Sequence, residues 1–265
     1  MLDRLTKMDY KRMWSVTATV SERSGISRPR LMLDMLVCAA KYNAGYMDYM
    51  IARMWEQNDA QRRTVLTRGI NNQIVRRMND KADWHAFDDK AEFNRAFSKW
   101  ITRDWMEADG QTSIDALKTF LKGKQTVFVK PLEGSSGQGI EKYTAPDWTD
   151  MDAFASKVRA VGKCVIEEGI VQHPRMAELN PGSVNTVRIS TLIGDKKEGI
   201  VYAFLRIGNG KIMDNVDCGG MAARVDLISG KLLTVAADKV GNTFTKHPIT
   251  GTEIIGFQLP CFEEA

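Results

Sequence analysis

The chain has 265 residues, of which 43% are hydrophobic and 26% charged, with a net charge of +4. This suffices for one large domain or two small ones around a buried core. The mild positive charge admits a small anionic ligand but lacks the strong basic footprint expected of a nucleic-acid binder. Four cysteines, at positions 38, 164, 218 and 261, make no C-x-x-C pair, so neither a zinc site nor a disulfide framework is expected.

The N-terminal MLDRLTKMDYKRMW has no apolar stretch of the secretory kind. The most apolar run, LMLDMLVCAA (31–40), is too short to span a bilayer and contains Asp34. A cytoplasmic, reducing location without a transmembrane segment is expected. Residues 2–20, 30–42, 46–57, 62–79 and 89–100 carry apolar side chains at three- and four-residue spacing, the period of an amphipathic helix. Asp89 is placed to cap the last of these, with Glu92 three residues on. Ser113 is placed to cap a short helix ending at Gly123.

Beyond residue 124 the pattern turns to strands. TVFVK, GIEKY, KCVIEE, NTVRISTLI, GIVYAFLRI, AARVDLI and KLLTVAA are β-rich, with GDKKEG, GNGK and SGK as turns. Helices are expected at 149–161, with Thr149 and Asp152 as a capping box, and at 174–179 behind Pro174. The class is α+β, with a helical region over 1–80, a second domain over 81–265 and a mainly antiparallel later sheet.

Within that second domain, Lys130 leads into the loop GSSGQG, Gly134 to Gly139. A Walker A loop would place the lysine after the glycines and continue as a helix. A dinucleotide fingerprint would read G-x-G-x-x-G at a strand-to-helix turn, and a kinase loop would carry its lysine on the following strand. What remains is a hairpin whose amides can fold over phosphate oxygens because glycine permits close approach, with Lys130 as a point charge. A plain flexible hairpin tip is the competing explanation. Lys90 lies just inside a predicted helix start, where a bound phosphate would offset its repulsion from the helix dipole; a solvated surface lysine is the alternative.

KCVIEEGIVQH (163–173) is a strand whose exit can present backbone groups to a purine edge, or a buried strand with solvated charges. In NTVRISTLI the alternation turns Arg188 away from the more apolar face. Arg206 closes the next strand and DNVDCGG (214–220) follows, a set suited to a negatively charged transferring group or to a plain sheet edge and turn.

Taken together and in this order, Lys90, VKPLEGSSGQGI, VIEEGIVQH and R…DN…GG resemble ATP-grasp enzymes. With KYNAGYMDY, TRGINN and LNPGSVNTVRIST added, the chain is similar to the sugar-transfer-associated ATP-grasp family over nearly its whole length. The resemblance implies two α+β subdomains, near 81–168 and near 169–265, gripping ATP. It assigns Lys90 and Lys130 to the phosphates, covered by Gly134, Ser135, Ser136, Gly137 and Gly139. Glu167, Glu168 and Ile170 would line the adenine and ribose pocket with His173 nearby. Arg188, Arg206 and Asn215 would face the γ-phosphate and an acyl phosphate, and Gly219 and Gly220 of the adjoining loop would also bind the nucleotide.

The implied activity is ligation of a carboxylate, activated as an acyl phosphate, to an amine or other nucleophile. Its setting would be cell-surface polysaccharide or sugar-conjugate synthesis, with partners in a glycosyltransferase pathway. Family members carry Mg²⁺ on a late D…E-x-N pair of strands. No such pair stands before residue 265, so the metal ligands are expected beyond it. Two other activities stay open: phosphoryl transfer to a hydroxyl on the same fold, and a non-catalytic scaffold. For the scaffold, Arg62-Arg63, Arg68 and Arg76-Arg77 would meet a partner enzyme or a membrane surface.

Overall fold

The computed structural model describes residues 9–134, 138–195 and 198–262. They divide into two compact units, one formed by the chain up to Asp80 with Ala237–Thr243, the other by Lys81–Ala236 with Phe244 onward. The architecture is mixed helix and antiparallel sheet with a helical N-terminal region.

The first unit contains α1 Tyr10–Ser24, α2 Arg28–Tyr42, α3 Tyr46–Ile51, α4 Asp59–Arg63 and α5 Arg68–Met78. Glycine and asparagine in the left-handed conformation stop α1 and α2, at Gly25 and Asn43. The inward stripes Met13, Val16 and Val20 of α1 and Leu31, Met35 and Cys38 of α2 meet Tyr49, Met50 and Met54 in one apolar cluster. Arg62 clasps Asp34 through both guanidinium nitrogens, at 2.8 and 2.7 Å, and Tyr49 donates to the same carboxylate at 2.6 Å. The expected helices over 46–57 and 62–79 are each interrupted. Arg53 adopts a left-handed conformation between α3 and a 3-10 turn, and α4 gives way to α5 at Thr67, which caps α5 by accepting from Ile70 N.

The second unit adds α6 His85–Asp88, α7 Lys90–Ala96, α8 Ile114–Leu121, α9 Met151–Val161 and α10 Pro174–Leu179. Asp89 caps α7 as expected, accepting from Ala91 N and Glu92 N, and Ser113 caps α8. At α9 the cap is Asp150, accepting from Ala153 N, in place of the expected Thr149.

One sheet has the order β1-β4-β2-β3, formed by β1 Trp105–Ala108, β2 Thr126–Pro131, β3 Glu141–Thr144 and β4 Cys164–Glu168, all antiparallel. β1 has no counterpart among the expected strands. The three long strands of the second sheet are β5 Thr186–Ile193, β6 Glu198–Ile207 and β7 Met221–Val225, antiparallel in sequence order. The expected strand KLLTVAA is reduced near its start to bridges from Lys231 and Leu232. Val127, Val129, Cys164 and Ile166 of the first sheet pack on Leu117, Leu121, Phe154 and Val158 of α8 and α9. Ala203, Leu205, Ile207, Ala223 and Val225 of the second pack on Met176 and Leu179 of α10. Each sheet therefore spends one face on a core and carries on the other a mixture of charged and aromatic or apolar side chains, Lys130 and Phe128 in the first and Arg206 and Phe204 in the second.

Candidate functional site

In β2 the side chains alternate. Val127 and Val129 enter the core, while Phe128 and Lys130 stand on the opposite face. Phe128 pairs with Glu167 of β4 and Lys130 with Val165, which puts the ammonium and the carboxylate on one face. Lys130 Nζ lies 2.5 Å from Glu167 Oε2. Arg103 Nε donates to the same oxygen at 2.9 Å, and Asn94 Nδ2 donates to Oε1 at 3.2 Å.

Glu167 is only 3% exposed. Burial alone would raise its pKa, yet the hydrogen bonds and charges of Arg103 and Lys130 outweigh burial and hold the carboxyl down at about 2. Lys90 stands at the first position of α7. Its Nζ donates to the carbonyls of Leu132 (3.1 Å) and Gly134 (3.2 Å), at the root of the glycine-rich hairpin. Burial and then the positive charge of Lys130 push its pKa below the ordinary lysine range. Lys130 and Arg103 thus share one buried carboxylate, and Lys90 feels its charge while bonding only to backbone carbonyls. The surplus positive charge is what an anion would neutralise.

Ser135, Ser136 and Gly137 lie outside the described residues. Gly134 and Gly139 flank them at φ +109° and +70°. Glu168, one residue past Glu167, alternates away from the Lys130 face and turns toward Asp104 N and Lys124. The strand exit runs through Gly169, whose amide donates to Thr126 O at 2.8 Å. A Cβ there would sit 2.9 Å from the Thr126 side chain, so only glycine lets β4 leave this close to β2. Ile170 is exposed, and His173 uses Nδ1 to cap α10 by accepting from Arg175 N.

The second sheet presents its own polar face in rows fixed by register. Thr186, Arg206 and Ala222 form one row; Arg188, Phe204 and Arg224 form the next. Asp214 accepts from Thr186 N at 3.0 Å and from the Thr186 hydroxyl. That hydroxyl in turn accepts from Arg206 Nε (2.9 Å) and Nη2 (2.7 Å), and Arg206 Nε is 3.4 Å from Asp214. Asn215 folds the next loop by accepting from Asp217 N at 3.1 Å. Gly219 closes that turn at φ +100°. At Gly220 a Cβ would lie 2.3 Å from Asp214 O, so the Gly-Gly pair is what allows the loop to hold Asp214 against Arg206.

The structure therefore brings Lys90, Lys130 and Glu167 together in one group, and Arg206 with the loop of Asn215, Gly219 and Gly220 in another; Arg188 stands one row along from Arg206. Sequence reasoning missed Arg103, Asn94 and Arg224, and read Asp214 only as part of the DNVDCGG motif. The alternation of AARVD marks Arg224 as facing away from Ala223 and Val225. Arg103 and Asn94 reach Glu167 across 64 and 73 residues, and nothing local signals that contact. Among the described residues no three His, Cys, Asp or Glu side chains gather as a metal-ligand set. No described helix is long and apolar enough to cross a membrane.

A family model described as sugar-transfer associated ATP-grasp matches residues 69–265. No curated protein matches the chain.

Proposed function

We propose, from the premise that this chain belongs to the sugar-transfer associated ATP-grasp family, that it is an ATP-dependent ligase that activates a carboxylate. The observation that carries the reading is Lys130 and Arg103 paired on buried Glu167, with Lys90 bonded to the root of the glycine-rich hairpin. In this reading Lys90 and Lys130 exchange their present acceptors for the oxygens of the ATP polyphosphate. Gly134 and Gly139 border it. Glu167 holds Lys130 and Arg103 in place, while Ile170, Glu168 and His173 border the base and ribose. Arg188, Arg206 and Asn215 receive the reacting end.

A substrate carboxylate oxygen attacks the γ-phosphorus, the bond to the β-phosphate oxygen breaks, and ADP leaves with that electron pair. An amine then attacks the acyl carbon of the acyl phosphate. Inorganic phosphate departs, and the amine's extra proton passes to phosphate or solvent. The protein supplies position and charge neutralisation and forms no covalent bond. The arginine pair matches the charge that grows on the transferring group. A sugar-conjugate pathway supplies the acceptor.

Titration of a non-hydrolysable ATP analogue into the wild type and Lys130→Ala is expected to show binding weakened at least about tenfold in the variant, the loss of one charge-assisted hydrogen bond. Phosphate release that depends on an added carboxylate would complete the case. Analogue binding that is absent, or indifferent to Lys130→Ala, would overturn the nucleotide site. A stable phosphorylated alcohol formed with no amine present would replace the ligase by a phosphotransferase.

A further inference from the structure

Helix α5, Arg68–Met78, is fixed at one end; Ile70 and Val75 are half-buried and Ile74 and Met78 exposed. Thr67 Oγ1 donates to Tyr42 O at 3.0 Å and Arg68 N donates to Asp48 Oδ1 at 3.1 Å. No residue of the helix itself is buried. At about 100° per residue, Ile70, Ile74, Met78 and Val75 fall in one arc of roughly 140°, broken by the amide of Asn71 between Met78 and Val75. Arg77 and Arg68 stand at the two edges of that arc, each about 20° outside it. Asn72, Gln73 and Arg76 occupy the far side. Ile74 is 39% exposed, Met78 42%, and Leu66, just before the helix, 48%. From Thr64 to Asn79 the chain has three arginines and no acid. The other two arginines nearby are already engaged, Arg62 by Asp34 and Arg63 by Asp59.

We propose that α5 is a docking surface for an anionic membrane, lying in the interface with Ile70, Ile74, Val75 and Met78 in the acyl boundary and Arg68 and Arg77 on lipid phosphates. Cations at both margins of an apolar arc suit this arrangement. Their aliphatic stems cover the rim of the apolar surface while the guanidinium groups reach up to the headgroups. The helix is about 16 Å long, too short to hold the protein on lipid irreversibly, so the attachment is reversible and depends on surface charge.

The test is co-sedimentation of the full chain with vesicles of phosphatidylcholine alone and of phosphatidylcholine with phosphatidylglycerol, at low and high salt. The wild type is expected to partition at least about tenfold more onto the anionic vesicles, and salt should reverse this. Ile74→Asp with Met78→Asp should cut that partition about tenfold or more. Arg68→Gln with Arg77→Gln should cut it about thirtyfold, from roughly 1 kcal/mol per cation at the surface. All four side chains are exposed, so circular dichroism and titration of the ATP analogue should be unchanged in both variants. Equal binding to neutral vesicles, no sedimentation, or partition that survives either pair of changes would overturn the proposal. So would a dimer in size exclusion that Ile74→Asp with Met78→Asp dissolves, since the apolar face would then belong to a second copy of the chain.

Discussion

Removing a carboxylate from water costs several kcal/mol unless its partners are built in with it, and Glu167 keeps Arg103, Lys130 and Asn94 within hydrogen-bonding distance. Because its pKa falls from the ordinary 4.5 to about 2 on folding, the folded state binds the proton less well than the unfolded chain does. The stabilisation is therefore fully present above about pH 4.5 and is lost as pH falls through about 2; it is of the order of 3 kcal/mol. Glu167→Gln should remove that acid dependence. It should also cost about 3 kcal/mol or more at neutral pH, because Lys130 and Arg103 are then left partly buried without a counter-charge. Urea unfolding of both proteins between pH 3 and pH 7 checks it. An acid limb unchanged in the variant would show that other carboxylates govern it. The sequence marks Glu167 only as a charge at the end of an apolar strand. Its burial follows from Arg103 and Asn94, which come from distant parts of the chain, and no local pattern encodes that meeting.

Elements were legible where a local rule decides them. Asp89 and Ser113 cap their helices because a short polar side chain at that position satisfies free amides. At α9 two residues able to cap stand side by side, Thr149 and Asp150, and local pattern alone does not choose between them. Strand β1, Trp105–Ala108, escaped because WMEA is short, with no alternation and only one residue of strong β preference; it exists because β4 pairs with it.

In β5 the alternation was read correctly as a face but not as burial. Val187 and Ile189 lie in register with Leu205 and Ala203 on the core side of the sheet, yet Ile189 is 53% exposed while Leu205 is 0%. Beyond a register shift at Ser190/Thr191 the two faces exchange. Ile189→Thr should change unfolding free energy by no more than about 0.5 kcal/mol, and it should reduce self-association along this apolar edge strand. Leu205→Ala, one strand away on the same face, should cost about 2–5 kcal/mol. Denaturant midpoints and light scattering measure both effects, and a large loss at Ile189 would mean that the face is covered in solution.

At the scale of the whole molecule, the two units hold separate apolar clusters, Met13, Met35 and Tyr49 in one and those under the two sheets in the other. A unit with its own core can unfold on its own. Every residue assigned to the nucleotide lies in the second unit, and a ligand stabilises only the folded form that binds it. Scanning calorimetry should therefore show two transitions, one lowered by Met35→Ala and the other by Leu205→Ala. An ATP analogue at about a hundred times its dissociation constant adds about 2.7 kcal/mol to the unit that binds it. For a unit of this size that corresponds to a rise of about 5–10 °C. The rise should appear in the transition that Leu205→Ala lowers and leave the other in place. A single transition moved as a whole by both substitutions would mean that the units unfold as one cooperative body. The nucleotide would then stabilise the helical N-terminal region as much as the sheets that hold Lys90 and Lys130.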